Sequence, residues 1–229
     1  KAFYQSWHRR KDEEFNYEEV ELPRSLIRIG YLSFKTQGHS LRRVHFPENK
    51  EKSDSFYSLH EIGDYAFSCQ QLKEHNIPNT FTILGHNAFE STDITHIEFN
   101  NKLNSIPNYA FLFCKSLTEI ELPESITSIG ISSFENCKNL KKISWKSNEV
   151  NEFGYNSFYG CVSLEEFKFP KKGNGFSSTG FFFENCIKLT KCEFPSEVKN
   201  DIGRGTFMNC INLKEVKFPE NLKRVPCDF

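Results

Sequence analysis

One phenylalanine recurs along almost the whole chain, at Phe34, Phe67, Phe89, Phe111, Phe134, Phe158, Phe183, Phe207 and Phe229. The steps are 33, 22, 22, 23, 24, 25, 24 and 22 residues. A period in the low twenties marks a solenoid, in which each repeat is one small supersecondary unit. No unit can bury its apolar side alone, so successive units stack and share one continuous core.

The stretch from Phe111 to Phe134 shows the unit most clearly. Its apolar skeleton is Phe111, Cys114, Leu117, Ile120, Leu122, Ile126 and Ile129. Residues 119–123 alternate polar and apolar before a proline, the period-2 pattern of a short, half-buried strand. The same piece returns as Val20-Glu21-Leu22-Pro23, Val44-His45-Phe46-Pro47, Ile97-Glu98-Phe99, Phe167-Lys168-Phe169-Pro170 and Val216-Lys217-Phe218-Pro219. It returns with changes at 75–78, 143–145 and 192–195. Proline lacks a backbone donor and ends the strand. A second apolar-x-x-apolar piece follows, such as Ile126 to Ile129, and then a Gly or Pro expected to turn the chain toward the next Phe. The pattern predicts nine parallel strands, one per turn, about 4.8 Å apart.

Assembled, the unit reads Phe-x-x-Cys-x-x-Leu-x-x-Ile-x-Leu-Pro-x-x-Ile-x-x-Ile-Gly-x-x-x-Phe. It resembles the BspA-like, or Treponema pallidum type, leucine-rich repeats across residues 18–229. The resemblance implies an α/β leucine-rich-repeat horseshoe of about nine repeats, with a parallel β-sheet on its concave face and few or no long helices. It also implies a surface or interaction protein of the kind found in bacteria and mucosal protists. Three departures stand out. His75 occupies an inward strand position, Ser91-Thr92 stand where the second unit should carry Cys, and the step from Phe34 to Phe67 is about ten residues too long. The extra charged stretch at 48–58 is read as a mobile surface loop, or as a functional insertion. The organisation is then a cap segment at 1–19 and a solenoid at 20–229. Phe3, Tyr4 and Trp7 in the first segment either cover the open end of the first turn, belong to a preceding domain, or form an aromatic peptide that docks on a partner. The chain lacks an initiating Met and stops on an anchor Phe, so it reads as an excised piece, and further turns or self-association through an open end are both compatible with it.

Six of the eight cysteines fall at one repeat position: Cys69, Cys114, Cys137, Cys161, Cys186 and Cys210. The period explains them better than a disulfide framework does. Cysteine is a small buried hydrophobe, and side chains in one column point the same way, which is poor disulfide geometry. Such a column does not converge into a zinc site either, so no metal is expected. Unpaired thiols and the absence of any Asn-x-Ser/Thr sequon favour a cytoplasmic location, with a cell-surface location as the alternative. The net charge of −1 offers no general attraction to nucleic acid, and no run of 18 apolar residues predicts a membrane-spanning helix.

Three outward positions per strand should line the concave face, and across nine strands none of the 27 is apolar. Arg42, Arg43 and His45 form a basic cluster beside an acidic one of Glu98, Glu119 and Glu121; His96 lies between them. Glu119, Lys142, Glu166, Lys191 and Glu215 alternate in sign from strand to strand. Such a face is either self-neutralised by cross-strand pairs or a polar docking face for another protein. Three consecutive phenylalanines, Phe181 to Phe183, either mark a partner patch or fill a wide turn. Catalytic signals are absent. Gly203-Arg204-Gly205 reads as a repeat turn rather than a phosphate loop, there is no nucleophile elbow or His-Glu-x-x-His, and no cofactor is expected. The expected function is therefore a non-enzymatic protein-interaction module with a charged concave face; the alternative is a cell-surface adhesin or antigen.

Overall fold

The computed structural model describes residues 18–35, 41–46, 57–68, 71–73, 77–173, 180–196, 202–222 and 224–225. Through them the chain winds as a parallel β-solenoid of about seven turns. The strands form two sets. The longer set is β1 (Glu19–Glu21), β3 (Arg43–His45), β7 (Glu119–Leu122), β9 (Lys142–Trp145), β11 (Glu166–Lys168), β12 (Lys191–Glu193) and β13 (Glu215–Lys217). The shorter set comes from the second apolar piece of each unit: β2 (Arg28–Ile29), β4 (Glu61–Ile62), β5 (Ile83–Leu84), β6 (Ser105–Ile106), β8 (Ser128–Ile129) and β10 (Glu152–Phe153).

All the pairings are parallel, and inward residue stacks on inward residue. Val20 lies opposite Val44, Ile120 opposite Ile143, and Phe167, Cys192 and Val216 follow one another. On the second side Ile29, Ile62 and Leu84 align, as do Ile106, Ile129 and Phe153. A slip of one residue would turn every one of these side chains to solvent, so burial pins the register.

Two expectations need correction. No helix occurs among the described residues, so the α/β label does not describe them. Among the described residues the longer set holds seven of the nine expected strands; the one expected at 75–78 falls largely outside the described residues. Residues 92–100 form no strand pairing among the described residues, although Ile94 and Ile97 are buried in the core. There Asn100 donates its side-chain amide to the carbonyls of Asn79 and Phe81, a side-chain substitute for part of the missing ladder. His75, Cys69, the cap segment through residue 17, nearly all of the 48–58 insertion and Phe229 lie outside the described residues.

What returns the chain from the second strand to the first is a stacked turn around each anchor Phe. The anchors form one column from Phe34 to Phe207. Consecutive ring centroids lie 5.4, 5.3, 5.5, 5.4, 5.5, 5.8 and 5.6 Å apart, and every ring pair lies within 13° of parallel. Their backbones form a third ladder, always from the N–H of one turn to the carbonyl of the next. Phe34 donates to Ala66, Phe67 to Ala88, Phe89 to Ala110, Phe111 to Ser133 and Phe134 to Ser157. Among the described residues positive φ falls two before the anchor in each turn, and also two after it from Ser91 onward. The first row is Leu32, Tyr65, Asn87, Tyr109, Ser132, Asn156, Phe181 and Gly205. Such backbone is costly for a branched or bulky residue, and the cross-turn hydrogen bonds offset that cost.

The glycines that close the second strand do not supply this positive φ. They permit close approach: a Cβ on Gly154 would collide with the backbone of Gly130 and Ile131, and one on Gly85 with Gly63 and Asp64.

The thiol column has a hydrogen-bonding role beyond filling space. Cys114, Cys137, Cys161, Cys186 and Cys210 each donate from Sγ to the carbonyl of the anchor Phe in the preceding turn, at 3.0, 3.1, 3.2, 3.2 and 2.9 Å. These thiols are free and buried. The column is broken at Thr92, whose hydroxyl donates to the carbonyl of its own turn's anchor, Phe89, at 2.9 Å and meets Cys114 Sγ at 3.3 Å.

Candidate functional site

The longer strands hold their outward residues in rows, because alternate residues of a strand face opposite sides and the next strand repeats the register. Every described member of the 27 expected outward positions is exposed or half-exposed, so the sequence assigned the phase correctly. The register places Glu19 opposite Arg43 and Glu21 opposite His45, Glu119 opposite Lys142, and Glu166, Lys191 and Glu215 in succession.

Much of this charge is used internally. Glu19 binds both Arg43 (2.8 Å) and His45 (3.2 Å), so the basic cluster is joined to the first strand rather than left free. His96 meets Glu98 at 3.5 Å, two residues along the same segment. Glu121 pairs with Lys146 at 2.6 Å and Lys191 with Glu215 at 3.0 Å. The Glu215 hydrogen bond holds the Lys191 ammonium above its ordinary pKa. Glu193 sits between Lys168 and Lys217, each at 3.1 Å, and their hydrogen bonds hold its carboxyl below the usual range. Among the described residues Arg42, Glu119, Lys142 and Glu166 form no ion pair. The cross-strand pairing expected between Glu119 and Lys142 is therefore one of register and not of contact. Among the described residues no group of three His, Cys, Asp or Glu side chains could hold a metal ion, and no helix is long and apolar enough to cross a membrane.

A second surface was missed by sequence reasoning. On the edge formed by the stacked turns, Tyr109, Ile131 and Tyr155 are each more than a third exposed, and half-exposed Phe181 continues the row. The Tyr155 and Phe181 rings meet edge to face at 5.6 Å, and Arg204 lies over Phe181 at 5.5 Å. Of the three consecutive phenylalanines, Phe182 and Phe183 are both buried, because the stretch is a turn with positive φ at Phe181 and not an extended strand. The sequence signal was the recurrence of Tyr, Ile or Phe two or three residues before the anchor. The row stayed hidden because its members come from two different repeat positions.

The cysteine argument for a cytoplasmic location loses its force in the structure. Burial pushes the thiols of Cys137, Cys161, Cys186 and Cys192 well up, and that of Cys210 up to about 12. Only thiolate reacts, so a thiol that is buried, bonded and protonated stays reduced in oxidising surroundings too.

Comparison with known proteins agrees with this geometry. A sequence model described as a BspA type leucine rich repeat region matches residues 60–182 and 179–227, in six copies. No curated protein sequence matches the chain. The crystal structure of the Treponema pallidum leucine-rich repeat protein is similar at a TM-score of 0.56 and 23% identity, covering 90% of this chain and 86% of that one. A leucine rich cell surface protein of Faecalibacterium prausnitzii A2-165 is similar at 0.52 and 22%, covering 87% of this chain and 59% of that one. A leucine-rich repeat protein of Bacteroides ovatus ATCC 8483 is similar at 0.50 and 22%, covering 90% and 61%. The chain thus spans about three fifths of the last two proteins. At these identities the likeness is one of fold.

Proposed function

The chain belongs to the BspA-type leucine-rich repeat family, and from that premise we propose that it is a non-enzymatic protein-binding module whose longer-strand face docks on a partner. The observation that carries this reading is the uneven use of charge on that face. Glu19, Glu121, Glu193 and Lys191 are tied to neighbours, whereas Arg42, Glu119, Lys142 and Glu166 stand exposed and outside any ion pair among the described residues. Fixed neighbours hold the free charges on a rigid surface, where they set orientation and rate of encounter more than raw affinity. The wider set His45, His96, Glu98 and Lys191 frames them. The direct test is cross-linking capture from the native cell with the chain as bait, beside the variant R42S/E119S/K142S/E166S. Partners lost in the variant support the face; partners kept in full move binding elsewhere on the molecule.

Display at a cell surface is the second reading. It is favoured over the cytoplasm by the similarity to the F. prausnitzii cell surface protein, now that the protected thiols no longer argue against it. Labelling of intact cells with a membrane-impermeant amine reagent decides it: labelled chain places it outside, and labelling that appears after lysis alone places it inside.

A further inference from the structure

The residues that close the shorter strands carry a ladder of their own. Gly63 donates its N–H to the carbonyl of Ile29, Gly85 to Ile62, Gly130 to Ile106 and Gly154 to Ile129, all at 2.7–2.8 Å. A second rung lies three residues earlier: His60 donates to Ile27, Thr82 to His60, Thr127 to Asn104 and Asn151 to Thr127. Position 107 stands in the same register, four residues before an anchor Phe, and it is proline. Pro107 has no N–H to give to the Leu84 carbonyl. Its Cβ is a second obstacle. A Cβ on Gly85, Gly130 or Gly154 would collide with the backbone of the turn before, and Pro107 brings one to that place. Both effects part the two turns. The shorter strands accordingly fall into two sheets, β2-β4-β5 and β6-β8-β10. Among the described residues β5 does not pair with β6, and no rung runs from Asn104 to Thr82.

The rest of this junction stays tied. Along the turn stack the bonds tighten away from the proline: Asn87 donates to Asn108 at 3.2 Å, Phe89 to Ala110 at 2.9 Å and Ser91 to Leu112 at 2.7 Å. On the longer-strand side the Asp93 N–H reaches the Leu72 carbonyl at 3.0 Å, and Asn100 holds the carbonyls of Asn79 and Phe81. The Phe81 and Phe99 rings meet edge to face at 6.1 Å behind it. A junction bonded along two sides and parted along the third can open about the bonded ones, and regions with few backbone bonds are where local opening is cheapest. We propose that the junction between the turns of Phe89 and Phe111 is a hinge created by Pro107. The block from β1 to β5 and the block from β6 to β13 swing about the turn stack, and the shorter-strand side opens and closes. On the longer-strand face Arg42 rides on the first block, and Glu119, Lys142 and Glu166 ride on the second. The hinge therefore sets the separation of those charges. That consequence rests on the docking reading above; the hinge itself does not.

The test is amide hydrogen exchange by NMR on the whole chain, parent beside P107G. Asn87, Tyr109 and Ser132 hold one position on three successive turns, and each N–H is bonded to the next turn. The Asn87 amide, nearest the proline, should exchange about tenfold or more faster than the other two in the parent. P107G supplies the missing N–H and removes the Cβ. It should slow Asn87 to about the rate of Tyr109 and Ser132 and leave those two unchanged, a gain opposite to what glycine's added freedom alone would give. Nitroxides carried on p-acetylphenylalanine in place of Ile27 and Glu152, both exposed on the shorter-strand side, read the opening directly by pulsed electron resonance. Their distance distribution should be broad in the parent and narrow in P107G. Equal protection of the three amides in the parent overturns the proposal. So does an unchanged Asn87 in a folded P107G, and so does a distance distribution of the same width in both chains. Should P107G fail to fold, the ratio of the three amides in the parent still decides.

Discussion

The longer-strand face and the turn stack repeat at the same interval, yet they hold the molecule in different ways. The strand ladder is interrupted: among the described residues no strand pairs over 92–100, and the outward side chains of the ladder meet as exposed ion pairs. The turn ladder is bonded at every step from Leu32 to Met208, around a buried ring column and a buried thiol column. The lesson is that the turns are the spine. The strands present residues to solvent, where an ion pair contributes about 0–1 kcal/mol, while the turns bury what cannot be rearranged.

The largest effect expected from this contrast is alkaline unfolding. The folded thiols of Cys137, Cys161, Cys186, Cys192 and Cys210 have pKa values above the ordinary 9.0. Their protonated state is therefore fully stabilising below pH 9. That stability is lost as pH rises toward the folded values, for Cys210 between 9 and about 12. Each buried thiol costs about 1.4 kcal/mol per pH unit in that window. Urea midpoints should fall steeply above pH 9, and Ellman's reagent should label the five thiols when the protein unfolds and not before. A flat profile from pH 8 to 10.5 would break the idea that the thiols are structural.

Next in size is the close approach of neighbouring turns. Gly154→Ala forces a methyl into the backbone of Gly130 and Ile131, and overpacking of this kind costs about 1–3 kcal/mol. Gly30→Ala is the control, since its Cβ would meet only Ser33 Oγ at 3.5 Å; it should be neutral or slightly stabilising. Equal losses in chemical denaturation would show that conformational freedom, not proximity, sets the glycine row.

Smaller, and opposite in sign, is Ser133→Ala. Ser133 Oγ is buried without a hydrogen-bond partner, and Ala66, Ala88 and Ala110 hold the same position in other turns. Removing the hydroxyl should stabilise the protein by about 1 kcal/mol, read as a higher urea midpoint at unchanged slope.

The smallest change belongs to the strand face. Glu193→Gln removes the carboxylate between Lys168 and Lys217 and should cost at most about 1 kcal/mol at pH 7. Because the folded carboxyl titrates below the ordinary 4.5, its contribution is present above that value and fades as pH falls through the folded one. The gap between parent and variant should therefore close toward pH 3. A loss as large as that of Gly154→Ala would overturn the ranking of the two regions.

Much of the architecture was legible in advance because its signals are local and periodic. Among the described residues, the anchors from Phe34 to Phe207, the inward and outward phase of the strands, and the buried thiol column from Cys114 to Cys210 appear where the repeat puts them. The strand at 95–98 was misjudged because alternation reports which side chains face inward, not whether a neighbouring backbone lies within bonding distance. Of the candidate site, the residues of the polar face were readable, but their state was not: Arg43 and His45 look like a free cluster until Glu19 is seen to hold both.

The sequence by itself determined the length of a turn, the column of phenylalanines and the polarity of the strand face, since each follows from spacing along one chain and from what must leave water. The tertiary structure alone decided what one turn does to the next. It set which glycines must lack a Cβ, why Leu32, Tyr65 and Phe181 adopt positive φ, and that each thiol bonds a carbonyl one turn away. It also drew Tyr109, Ile131, Tyr155 and Phe181 into one stripe. These are contacts between residues more than twenty positions apart, set by backbone separations of a few ångströms that no spacing along the chain encodes.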